Sequence, residues 1–86
     1  MPDLKIEIYK TPSCPYCAMA EEYFQSLNLP YVTYDLTQQP EKAQEMMQKS
    51  GQTGVPVIVI TKGSEEKVII GFNKGEIDDF LGINNQ

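Results

Sequence analysis

Histidine is missing from this 86-residue chain, and its absence removes several kinds of chemistry at once. No Cys–His or Ser–His nucleophile pair and no Cys2His2 zinc site can be assembled within it. Only two cysteines are present, Cys14 and Cys17, with two residues between them. A bond across so short a loop takes little entropy from the unfolded chain, so the pair is a poor staple. Basic residues are also few: 7 Lys and Arg stand against 12 Asp and Glu, a net charge of −5. Nucleic-acid binding needs a basic footprint, and none is expected here. No run approaches the roughly 18 consecutive apolar residues of a membrane-spanning helix. The start, Met1-Pro2-Asp3-Leu4-Lys5, lacks the basic region and long apolar run of a signal peptide. The expected compartment is therefore a reducing cytoplasm, where a cysteine pair is more often catalytic or metal-binding than structural.

What is present reads as one ordinary α/β domain over residues 1–86, with 41% apolar residues to form its core. Leu4, Ile6 and Ile8 alternate with Lys5, Glu7 and Tyr9, the two-residue period of a strand. Thr11-Pro12-Ser13 breaks that pattern and leads into Cys14-Pro15-Tyr16-Cys17. Pro15 suits the first helical position, because its missing N–H would have no intrahelical partner there. The helix it opens carries Cys17, Ala20, Phe24 and Leu27 on one face and ends at Asn28-Leu29-Pro30. Tyr31 to Leu36 reads as a second strand with Val32, Tyr34 and Leu36 on one side.

Pro40 opens a second helix with Ala43, Met46 and Met47 as its buried stripe and Gly51 as its stop. Val57-Ile58-Val59-Ile60 has the continuous apolar character of a strand covered on both faces. A polar turn over 62–66 precedes the strand Lys67-Val68-Ile69-Ile70. In the last helix Asn73 is the cap, with Glu76 three residues later and Ile77, Phe80 and Leu81 as the apolar face. Gly82 ends it, and Asn84-Asn85-Gln86 is expected to fray. The order βαβαββα implies a four-stranded mixed sheet with helices on both faces.

Thiol exchange runs through the thiolate, so its nucleophile must be accessible and partly ionised near neutral pH. Cys14 precedes the first turn of a helix, where free N–H groups and the positive end of the dipole favour an anion. Cys17 lies one turn further in, at the head of the apolar stripe. This division predicts that Cys14 attacks and Cys17 resolves, with Pro15 and Tyr16 stiffening the turn between them. A Cys-x-x-Cys pair can also be half of a metal or iron–sulfur site completed by a second chain, or two inert buried cysteines. Its position between the first strand and first helix of a βαβ unit favours redox chemistry.

Gly54-Val55-Pro56 precedes the third strand, where proline belongs because it cannot donate to a ladder. The residues alone favour a trans Val55–Pro56 bond. Met46-Met47 is read as core filler, and Glu65-Glu66 and Asp78-Asp79 as solvated faces. Tyr9 and Phe72 are candidates for either groove walls or packing.

Cys14-Pro15-Tyr16-Cys17, Val55-Pro56 and Gly71-Phe72, in this order, resemble the glutaredoxin family over nearly the whole chain. The resemblance implies a thioredoxin fold of four strands and three helices and a cis Pro56 beside the cysteines. It also implies reduction of protein disulfides or glutathione mixed disulfides, with Cys14 as nucleophile. The implied substrate groove comprises Lys10, Thr11, Pro15, Tyr16, Gly54, Val55, Pro56, Gly71 and Phe72. Glutathione is the implied co-substrate, with no tightly bound cofactor and no resident metal, and a monomer is expected.

The chain departs from the family's glutathione-binding pattern at three places. Thr11 stands where a lysine or arginine is usual, with Lys10 one position earlier. Gly54 replaces the threonine before Val-Pro, and Gly75 occupies the place of an aspartate. Gly71-Phe72 resembles instead the redoxins recharged by thioredoxin reductase that donate electrons to ribonucleotide reductase.

Overall fold

Two strands of this protein, those over 4–10 and 57–62, carry runs of four consecutive buried residues, and those two take the centre of the sheet. The computed structural model describes residues 4–83. It contains β1 (Leu4–Lys10), α1 (Pro15–Ser26), β2 (Val32–Asp35), α2 (Glu41–Ser50), β3 (Val57–Lys62), β4 (Glu65–Ile70) and α3 (Lys74–Leu81), the element order the sequence predicts. The sheet runs β2-β1-β3-β4. β1 is parallel to β2 and antiparallel to β3, and β3 is antiparallel to β4. The expected fraying of 84–86 lies outside the described residues. No helix among the described residues is long and apolar enough to cross a membrane.

The alternation of side chains along each strand divides the core in two. Ile6, Ile8, Ile58, Ile60 and Ile69 pack with Ala20 and Phe24 of α1 and Ile77 of α3. Tyr9, Val57 and Val59 pack with Met46 of α2. α1 and α3 therefore cover one face and α2 the other. Burying a Val or Ile side chain is worth about 1.5–3 kcal/mol, and all four residues Val57–Ile60 are fully buried. That run makes β3 a central strand.

Several local expectations are corrected. On the polar side of β1 Lys5 is exposed, but Glu7 is only 6% exposed. It lies under α2's side of the sheet and accepts a hydrogen bond from the Tyr34 hydroxyl at 2.8 Å. Val32 is 45% exposed, at the first position of the edge strand β2. Met47 points outward at 44% exposure, leaving Met46 as the methionine that fills the core. The turn between β3 and β4 narrows to Gly63-Ser64, since Lys62 already pairs with Glu65. Gly63 has φ 63°, a conformation that suits a tight hairpin.

The last helix forms as its cap predicts. Asn73 Oδ1 accepts from the Glu76 N–H at 3.2 Å, and Asn73 Nδ2 donates to Glu76 Oε2 at 2.8 Å. Gly82 closes the helix in the left-handed region.

Candidate redox site

The end of β1 and the start of α1 place Cys14. Its backbone N–H donates to the Thr11 carbonyl at 3.3 Å, closing the turn that carries the chain out of the strand. Cys14 is the N-cap of α1 in extended conformation, with Pro15 at the first helical position. Its sulfur takes the place usually filled by a serine or aspartate oxygen, accepting from the Cys17 N–H at 3.1 Å. The first turn of α1 carries no acidic side chain, so nothing local offsets the positive end of the dipole.

Cys14 is half-buried, whereas Cys17 is 1% exposed. The two are joined as a disulfide with Cα atoms 5.3 Å apart. One sulfur thus faces the surface while its partner sits in the apolar stripe of α1. Among the described residues, no group of three or more acidic or cysteine side chains converges as a metal site.

A groove of about 460 Å³ brings Tyr16, Val55, Pro56, Gly71 and Phe72 together, with Ile70, Asn73 and Lys74 completing its lining. The Val55–Pro56 peptide is cis, as the family resemblance implied and against what the residues alone favoured. Pro56 is buried, and Tyr16 is among the exposed large side chains. Pro15 is exposed at the helix entrance next to Cys14.

Four expected groove residues, Lys10, Thr11, Pro15 and Gly54, are not brought to this lining. Lys10 Nζ pairs with Glu21 of α1 at 2.8 Å, and that hydrogen bond raises the lysine pKa. Thr11 uses its carbonyl in the Cys14 turn, and Gly54 sits in an exposed bend.

Ile70, Asn73 and Lys74 are not among the groove residues the sequence points to. Lys74 did carry a signal: a lysine in a helix's first turn opposes the dipole, so its presence there calls for a compensating partner. That partner is Asp78, with Lys74 Nζ at 3.0 Å from Oδ2. Asp78 is 7% exposed, which corrects its reading as part of a solvated face. It also accepts from the Tyr23 hydroxyl of α1. Phe72 meets the Tyr23 ring edge-on, centroids 5.9 Å apart. Tyr9 serves packing rather than the groove, fully buried against Tyr34 with its hydroxyl on Glu45.

The Glutaredoxin family model matches residues 6–64. The chain is 41% identical over 76 residues to an uncharacterized glutaredoxin-like 8.6 kDa protein in a rubredoxin operon of Clostridium pasteurianum, covering 88% of this chain and 96% of that protein. It is 34% identical over 55 residues to glutaredoxin 3 of Escherichia coli K12, covering 64% of this chain and 66% of that one. Its fold superposes on the glutaredoxin of Archaeoglobus fulgidus with a TM-score of 0.74 at 20% identity, covering 88% of this chain and 84% of that one. These likenesses confirm the thioredoxin fold. With a Cys-Pro-Tyr-Cys pair at a helix entrance beside a cis proline, they leave one assignment: this chain belongs to the glutaredoxin family.

Proposed function

We propose that this protein is a dithiol disulfide reductase in which Cys14 attacks and Cys17 resolves. The observation that carries the reading is the Cys17 N–H directed at Cys14 Sγ over 3.1 Å, at a helix N-cap, while Cys17 itself is buried. In the reduced protein the Cys14 thiolate attacks one sulfur of a substrate disulfide and expels the other as a thiolate. Cys17 then loses its proton and attacks Cys14 Sγ. The second substrate thiol leaves, and the intramolecular disulfide remains. Two electrons pass to the substrate, and an external dithiol or two glutathione molecules return them. Protein disulfides and glutathione mixed disulfides are the proposed substrates, with glutathione as co-substrate, no tightly bound cofactor and the cytoplasm as compartment. Cys14→Ser should abolish exchange, and Cys17→Ser should accumulate the mixed disulfide, visible as a mass increment. Full activity of Cys14→Ser overturns the role assignment.

A second reading concerns the reductant and is favoured by one feature of the groove. Its lining contains Lys74 but no carboxylate, and Gly75 adds no side chain. A glutathione bound there would find no acidic partner for its ammonium group. That supports recharging by a thioredoxin reductase, with ribonucleotide reductase as an acceptor. Turnover with glutathione and glutathione reductase, compared with turnover on NADPH and thioredoxin reductase, separates the two. Activity in the latter system alone selects the second reading.

A further inference from the structure

We infer that the substrate surface extends past the redox groove into a second hollow between α1 and α3, and that its occupant is an extended segment of a protein disulfide substrate. This rests on the thiol-exchange reading above and names the substrate class of the same site. The second hollow, about 350 Å³, is lined by Met19, Glu22, Tyr23 and Ser26 of α1 with Phe72 and Lys74. Phe72 and Lys74 also line the redox groove, so the two depressions adjoin across these side chains.

Tyr16, Met19 and Tyr23 are spaced three and four residues apart, which puts them on one face of α1. That face leads from the disulfide into the second hollow. Among the described residues, the exposed large apolar side chains are Tyr16, Met19, Val32, Met47 and Ile70, and three of these border the adjoining depressions. Apolar residues scattered singly need no explanation, but clustered ones mark an interaction surface.

Length decides the occupant. The hollow begins at Met19 and reaches Tyr23, five to nine positions along the helix from Cys14, or roughly 7–14 Å, which an extended chain spans with about two to four residues. A tripeptide with cysteine at its centre offers one residue on each side and ends before the hollow. A protein segment reaches it, and an apolar side chain about three residues from the reacting cysteine would enter between Met19 and Phe72.

The test uses the reduced protein and short peptides in which a single cysteine is disulfide-bonded to thionitrobenzoate. The Cys14 thiolate attacks the peptide sulfur, the peptide–thionitrobenzoate bond breaks, and the coloured thiolate is released. The peptides carry either leucine or serine at the third residue before or after the cysteine. One leucine peptide should react about tenfold faster than its serine counterpart, from partial burial of the leucine. Met19→Glu should bring that ratio close to one, while Val32→Glu, on the far edge strand, should leave it intact. Equal rates for leucine and serine at both positions overturn the inference, as does a ratio that survives Met19→Glu. A reduced protein that sediments as a dimer dissociated by Met19→Glu also overturns it, by assigning the face to a second copy. Absence of thiolate release from every peptide fails the thiol-exchange reading itself.

Discussion

The Gly71 N–H donates to the Pro56 carbonyl over 2.9 Å, tying the end of β4 to the cis proline beside it in the lining of the redox groove. Gly71 holds φ 76°, and a Cβ built on it would meet nothing within 4 Å. A side chain here therefore suffers from backbone conformation, not from crowding. Gly71→Ala should cost about 1–2 kcal/mol in urea unfolding. Asn tolerates the left-handed region better than Ala, so Gly71→Asn should recover part of that loss. Equal stability of Gly71→Ala and the parent protein would show that the turn relaxes to another conformation.

The helix entrance at Cys14 should depress its thiol pKa once the disulfide is reduced. Free cysteine titrates near about 8.5, and helix N-termini lower that value. In Cys17→Ser the iodoacetamide reaction rate, followed against pH, should have its midpoint below that of free cysteine. Because no acidic residue occupies the first turn, adding one should reverse part of the effect. Tyr16→Glu should raise the midpoint by several tenths of a unit, since a dipole-scale interaction is worth about 0.3–1 kcal/mol. An unchanged midpoint would remove the dipole from the account.

The course of the chain was legible in the sequence where periodicity and punctuation agreed. The run Val57–Ile60 announced a central strand, and Asn73 with Glu76 announced the last helix. The cysteine pair was legible because its chemistry is fixed by residue type and by position at a helix start. Pairings between distant elements were not legible. Glu7 reads as the wet side of a strand until Tyr34 arrives from β2. Asp78 reads as surface until Tyr23 of α1 covers it. Lys10 has the charge a substrate groove wants, but Glu21 lies close enough to claim it. In each case a long-range partner settled the side chain, and no local pattern encodes such a partner.

Tyr9, buried, and Tyr34, partly buried, on the α2 side should govern stability at alkaline pH. Burial, followed by the hydrogen bond to Glu7 and its charge, pushes the Tyr34 phenol up to about 12. Burial and Glu45 push Tyr9 well above its ordinary value. In the unfolded chain both titrate near about 10. Above that pH the unfolded state holds fewer protons than the native state, so unfolding becomes easier as pH rises. Their contribution is complete below about pH 10 and is lost as pH climbs through the folded-state values. Urea midpoints should fall increasingly steeply above pH 10, with a shallower fall in Tyr34→Phe. A fall of the same slope in that variant would place the alkaline sensitivity elsewhere.

The contact between Tyr23 and Asp78 should hold α3 to α1 more strongly than an exposed pair would. Asp78 is 7% exposed, and its carboxylate receives the Tyr23 hydroxyl on one oxygen and the Lys74 ammonium, at 3.0 Å, on the other. Removing a single donor from a buried charged acceptor leaves part of its desolvation uncompensated, at a cost of about 1–3 kcal/mol. Tyr23→Phe should be destabilised by that amount, although the ring and its edge contact with Phe72 remain. Lys74 is about half exposed, so losing its ion pair alone should matter less, in the range of about 0–1 kcal/mol. Lys74→Met should therefore be the milder variant. Combining Tyr23→Phe with Asp78→Leu removes donor and acceptor together, and the double variant should lose less than the sum of the two single losses. Strict additivity in urea unfolding would mean that the two side chains do not depend on each other, and that α3 is held to α1 by the apolar contacts of Ile77 and Phe24 alone.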